Sequence, residues 1–149
     1  MQMKAVVCIS VLACLSLANA TMAQEQARPE KGWMATWTAG PQQQVGSLKP
    51  LVNRTVRAFV PLSVGGGRLR VRFSNEYGTK PLMIGAATVG LTGPDGGIQP
   101  GTLRKVTFGG AASILIPAGA PAYSDPVDLK IDAFATAAVS LFLPRETLP

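Results

Sequence analysis

From Thr55 to Leu91 the chain alternates apolar and polar residues with a period of two, the pattern of strands that bury one face. Val56, Ala58, Val60 and Leu62 alternate with Arg57, Phe59 and Pro61, which predicts a strand with its even-numbered side chains in the core. Gly65-Gly66-Gly67 then turns the chain. The next run sets Leu69, Val71 and Phe73 against Arg68, Arg70 and Arg72, and predicts the antiparallel hairpin partner of the first strand. Asn75-Glu76-Tyr77-Gly78 supplies the following turn.

Pro81 to Leu91 reads as one long strand, in which Gly85, Gly90 and the Ala86-Ala87 pair predict close sheet packing or a bulge. Gly93-Pro94-Asp95-Gly96-Gly97 is a strong loop signal. Shorter strands are expected over Leu103 to Phe108, Ser113 to Ile116, Tyr123 to Leu129 and Ala137 to Leu143. No window of a dozen residues keeps a helical period with caps. Short strands at intervals of ~8–12 residues predict an all-β fold, an antiparallel two-sheet sandwich of jelly-roll type. Lys49-Pro50 marks where this domain, 49–149, follows an N-terminal arm, 24–48, that carries Trp33 and Trp37.

The first 23 residues have another character. Lys4 precedes an apolar run from Ala5 to Leu17, and Ala18-Asn19-Ala20 and Thr21-Met22-Ala23 offer small-residue cleavage sites after Ala20 or Ala23. That is the pattern of a secretory signal peptide, so a secreted or periplasmic product is expected. The run is shorter than the ~20 residues a membrane helix needs, and no membrane partner is expected once it is removed. Cys8 and Cys14 both lie within it, which leaves no thiol for a disulfide, a zinc site or nucleophilic attack. The chain carries a formal net charge of +6, but its basic residues are dispersed and aromatic residues are few. Solubility explains such a charge better than a nucleic-acid partner does.

Several blocks carry a more specific likeness. Trp33-Met34-Ala35-Thr36-Trp37, Thr55-Val56-Arg57 and Gly66-Gly67-Arg68-Leu69-Arg70-Val71-Arg72-Phe73-Ser74-Asn75 with Gly78 come first. Pro100-Gly101-Thr102-Leu103, Val106-Thr107-Phe108-Gly109-Gly110, Ile116-Pro117-Ala118-Gly119, Ser124-Asp125-Pro126-Val127 and Val139-Ser140-Leu141 follow in order. Together they resemble the N-terminal β-sandwich module of secreted SGNH/GDSL-type esterases. The resemblance implies a non-catalytic part of a serine ester hydrolase, a truncated fragment whose partner is the catalytic domain of the same parent protein. In that family the activity resides in a following domain with a Gly-Asp-Ser block and an Asp-x-x-His block. Neither block is present here, so no catalytic residue is carried over.

Elementary chemistry agrees. A serine hydroxyl needs a base near neutral pKa, and the chain has no histidine. Lys49, Lys80, Lys105 and Lys130 stand in no nucleophile signature, and this chain alone is expected to be inactive. Asp125, Asp128 and Asp132 lack the spacing of a calcium loop, so neither a metal nor a cofactor is expected. Two candidate binding sets remain. Trp33 and Trp37 are expected either to be buried under the sandwich or against a following domain, or to stack a carbohydrate. Arg68, Arg70 and Arg72 form a cationic strand face that is solvated, or docks acidic groups of a neighbouring domain or polysaccharide. The competing reading of the whole chain is a stand-alone secreted carbohydrate-binding module.

Overall fold

The structure, a computed structural model, describes residues 32–40 and 50–147. The expected signal peptide and the boundary between arm and sheet lie outside the described residues. The chain divides into two compact units, Met1–Met34 and Ala35–Pro149. All the strands below belong to the second.

Ten strands follow one another, with no helix among the described residues: β1 (Arg54–Pro61), β2 (Gly66–Leu69), β3 (Arg72–Asn75), β4 (Leu82–Ile84), β5 (Ala86–Leu91), β6 (Arg104–Val106), β7 (Ile114–Ile116), β8 (Ala120–Tyr123), β9 (Val127–Ile131) and β10 (Thr136–Leu143). A four-stranded antiparallel sheet has the order β1-β10-β5-β6. The other strands pair antiparallel as β2-β9, β3-β8 and β4-β7. The chain therefore runs up through β2, β3 and β4 and returns through β7, β8 and β9, so these pairs are successive lengths of one folded ribbon.

The fold class is all-β, as expected, but several pairings differ. β2 is not the hairpin partner of β1; β1 pairs along its whole length with β10, from Arg54 opposite Leu143 to Pro61 opposite Thr136. β1 is consequently an edge strand, and only Val60 among its eight residues is even half-buried, so its expected core face is largely open. The expected long strand from Pro81 to Leu91 breaks at Gly85, where the chain leaves the ribbon for the four-stranded sheet. Gly85 N–H donates to Phe142 O (2.9 Å), and a Cβ there would lie 3.0 Å from both the Phe142 ring and Pro144. The close approach explains the glycine. The strand expected over Tyr123 to Leu129 is also two strands, β8 and β9, separated by Ser124-Asp125-Pro126.

One hydrophobic core joins all these pieces. The four-stranded sheet contributes Ala87, Val89, Leu91, Val106 and Ala137, and the ribbon contributes Phe73, Ile84, Ile116, Val127, Leu129 and Ile131. Ile84, Val89 and Ile116 are fully buried, and Phe73 and Phe108 pack with ring centroids 5.6 Å apart. Alternation along β9, with Val127, Leu129 and Ile131 buried and Asp128 and Lys130 exposed, gives the clean inside and outside of a half-buried strand.

Candidate functional site

The three arginines of the expected cationic face lie on the ribbon, but they do not form one ladder. β2 ends at Leu69 and β3 begins at Arg72, so Arg70 sits in the break between strands. Arg68 faces Asp128 across the β2-β9 pair at 3.7 Å, with both side chains well exposed, and such a pair contributes little to stability. Arg72 binds Glu76 at 2.9 Å and lies 5.9 Å from the centre of the Tyr123 ring on the neighbouring strand. Glu76 also accepts from Ser74 Oγ at 2.6 Å. The Ser74 hydroxyl, then Arg72, hold the Glu76 carboxyl below its ordinary range, and Glu76 in turn raises the Arg72 guanidinium. The positive charge of Arg70 bears on Asp125. Each arginine thus has a carboxylate of its own chain nearby.

Trp37 is 48% exposed, which corrects the expectation of its burial under the sandwich, and Trp33 is 54% exposed. The reason is local: the segment around Trp37 is held through its neighbour Thr36. Thr36 O accepts from Ser63 N–H (3.3 Å) and from Ser63 Oγ (2.6 Å), while Thr36 Oγ1 accepts from Val64 N–H (2.9 Å) and donates to Val64 O (3.2 Å). This clamp fixes the backbone and leaves the indole facing solvent.

The best organised polar groups are ones to which the sequence assigned no site role. Asp125 Oδ2 accepts from Thr107 Oγ1 (2.7 Å) and Gly110 N–H (2.8 Å), and its Oδ1 accepts from Gly109 N–H (2.9 Å). Gly109 and Gly110 have φ of 59° and 83° in a tight turn closed by mutual hydrogen bonds between Phe108 and Ala111. Both central residues of such a turn need positive φ, which the Gly-Gly pair supplies. The Gly110 N–H, then Thr107, then Gly109, hold the Asp125 carboxyl below its ordinary range. Asn75 Nδ2 donates to the carbonyls of Lys80, Ile116 and Pro117 at 2.9, 3.1 and 3.0 Å, stapling the turn after β3 to the one after β7. Ser124 is 3% exposed; its Oγ accepts from Val71 N–H (3.0 Å) and donates to Asp125 O (2.8 Å).

These groups are joints. Two residues separate Leu69 from Arg72, but three separate their partners Val127 and Tyr123, so one extra residue bulges on the returning side. Ser124 fills that gap by offering its hydroxyl where a backbone carbonyl would stand. The serines that form hydrogen bonds here do so with Thr36, Glu76, Asp125, Val71 and Arg57, and no serine hydroxyl is joined to a lysine among the described residues. No group of three acidic, histidine or cysteine side chains able to hold a cation occurs among them either. No protein-family model matches the chain, and no curated protein matches it in sequence.

Proposed function

We propose that this chain is the non-catalytic leading part of a secreted SGNH/GDSL-like ester hydrolase, a jelly-roll sandwich that packs beside a catalytic domain. One observation carries the reading. The polar residues within the blocks of resemblance, Asn75, Ser124 and Asp125, direct their hydrogen bonds inward to splice the ribbon, so those blocks serve a scaffold. In this reading the four-stranded sheet and the ribbon are the two layers of the sandwich around the shared core. The parent protein cleaves an ester through an acyl-serine intermediate, and this part shapes or shields one side of the substrate cleft.

The exposure of Trp33 and Trp37 favours a second reading, a secreted module that stacks a glycan on an indole. Three measurements test them. The coding sequence after codon 149 should contain an in-frame Gly-Asp-Ser block, and the purified chain should turn over no chromogenic acetate ester above buffer. Serine-dependent hydrolysis by this chain refutes the scaffold reading, and glycan-array binding abolished by Trp37→Ala replaces it with the second.

A further inference from the structure

The pairing registers set four side chains in one row across the outer face of the four-stranded sheet. Arg57 lies opposite Ser140, Ser140 opposite Thr88, and Thr88 opposite Lys105. Their chain neighbours Ala87, Val89, Val106 and Ala137 fill the core, so by alternation this row points away from it. Arg57 and Lys105 are exposed, and Ser140 and Thr88 are half-buried. Phe59 opposite Ala138 flanks the row on one side, and Phe142 opposite Ala86 on the other. On the Phe59 side the loop after β5 rests on the sheet, since a Cβ on Gly90 would lie 2.8 Å from Ile98 Cγ2. Unlike the ribbon arginines, these two cations meet no carboxylate. Arg57 Nε donates to Ser140 Oγ at 2.9 Å, and neither Arg57 nor Lys105 has an ion pair among the described residues. Asp125 is already taken up by Thr107, Gly109 and Gly110, and the stretch from Pro41 to Lys49 that precedes β1 contains no acidic residue.

We propose that this row binds an acidic polysaccharide, a uronate-bearing chain that lies across the strands. Strands ~4.8 Å apart place the backbones of Arg57 and Lys105 ~14 Å from each other, with Ser140 and Thr88 between them. The cations answer carboxylates and the hydroxyls answer sugar hydroxyls. Phe59, 53% exposed beside the row, offers a ring to the apolar face of a pyranose. The size of the patch excludes a protein surface: three rows over four strands cover on the order of 200 Å², where a stable protein partner covers ~800 Å². An extended peptide takes a sheet through the main-chain groups of its edge, and within this face those of β10 and β5 are used by the strands on either side. A nucleic acid stacks successive bases on aromatic side chains, and the row offers one well-exposed ring. The cationic site expected at Arg68, Arg70 and Arg72 is thereby moved to the other layer, where the charge is not met from within the chain. The site depends on neither reading of the chain's role, because a scaffold beside a catalytic domain and a stand-alone module can both hold a polymer.

Affinity electrophoresis of the chain through gels that contain polygalacturonate or alginate tests this, with fully methyl-esterified polygalacturonate as the uncharged comparison. At least one acidic polymer should retard the chain, the retardation should fade as salt rises, and the methyl ester should leave the mobility unchanged. Lys105→Gln breaks no contact within the chain and should weaken binding about tenfold, as should Arg57→Gln. Lys130→Gln removes the same charge from the exposed side of β9 and should change binding by less than about twofold, an effect of net charge alone. Trp37→Ala should leave binding intact, which separates this site from the indole of the second reading. The proposal is overturned if neither acidic polymer is bound, if the methyl ester binds equally well, or if Lys105→Gln and Lys130→Gln lose the same amount. Loss of binding in Trp37→Ala with Lys105→Gln unaffected also overturns it, by assigning the polymer to the indole. So does tighter binding of a single-stranded oligonucleotide than of either uronate polymer.

Discussion

Replacing Ser124 with alanine removes a single oxygen, and the position of that oxygen sets the consequence. Ser124 is the buried polar residue at the bulge, 3% exposed, between the β2-β9 and β3-β8 lengths of the ribbon. Its Oγ is the acceptor for Val71 N–H at 3.0 Å and the donor to Asp125 O at 2.8 Å. Alanine leaves the backbone bond from Ser124 N–H to Val71 O (2.9 Å) in place but strips Val71 N–H of its acceptor. A buried donor left without a partner costs ~1–3 kcal/mol, beyond the modest net worth of the bond itself. The expected loss is about 2 kcal/mol, the lower end applying if water enters the space of the hydroxyl. That is a large share of the 5–15 kcal/mol typical of a domain.

Urea unfolding followed by tryptophan fluorescence measures this directly. The midpoint should fall while the slope stays constant, because the surface exposed on unfolding is unchanged. In a thermal melt the same loss is a drop of about 10 °C for a domain of this size. Ser74→Ala is the matched control: it deletes the same atom from an exposed site, where Ser74 Oγ meets only Glu76, and should shift stability by less than ~0.5 kcal/mol. Equal effects at Ser124 and Ser74 would refute the argument that the hydroxyl acts as a substitute carbonyl in the bulge. Ser124→Thr keeps the oxygen, so a loss as large as that of alanine would point to crowding.

Two further outcomes follow from side chains whose partners are defined. Asp125 has a carboxyl held below its ordinary range by Gly110, Thr107 and Gly109, so its stabilising contribution is fully present above the unfolded-state pKa of ~4 and is lost as pH falls through the lower folded value. Asp125→Asn should flatten the acid limb of a stability–pH curve over that window, and an unchanged limb would contradict the assignment. Thr92 carries a buried Oγ1 with no partner among the described residues, so Thr92→Val, which replaces the hydroxyl with a methyl of like shape, should raise stability by ~1 kcal/mol in urea unfolding. A loss of similar size would mean that a bound water satisfies the hydroxyl.

Period-two alternation was enough to locate strands, because half-burial writes itself directly into the sequence: Val127, Leu129 and Ile131 point in, and Asp128 and Lys130 point out. It could not assign partners. Val56, Ala58 and Val60 read as a core face, yet they lie on an edge strand, since alternation reports a sheet's two faces and is silent on whether a neighbour covers its margin. Hairpin logic likewise assumes that consecutive strands pair, which Gly65-Gly66-Gly67 encouraged. Instead the chain crosses from the four-stranded sheet into the ribbon there, and β1 finds β10 at the far end of the sequence. Long-range pairing of this kind leaves no local signature.

The arginine ladder was misread for a related reason. Arg68, Arg70 and Arg72 alternate as a ladder should, but a one-residue bulge on the opposing strand breaks the ladder where Ser124 enters, and bulges are set by the partner's length as much as by the strand itself. The residues that close that break stand in the sequence as a Gly109-Gly110 pair and a Ser124-Asp125-Pro126 run, the second of which fell inside a strand expected to be continuous from Tyr123 to Leu129. Their meaning lies in the meeting of the two, where two glycine N–H groups and a threonine hydroxyl converge on one carboxylate. A carboxylate that accepts three hydrogen bonds from its own scaffold has little capacity left for a substrate or a cation.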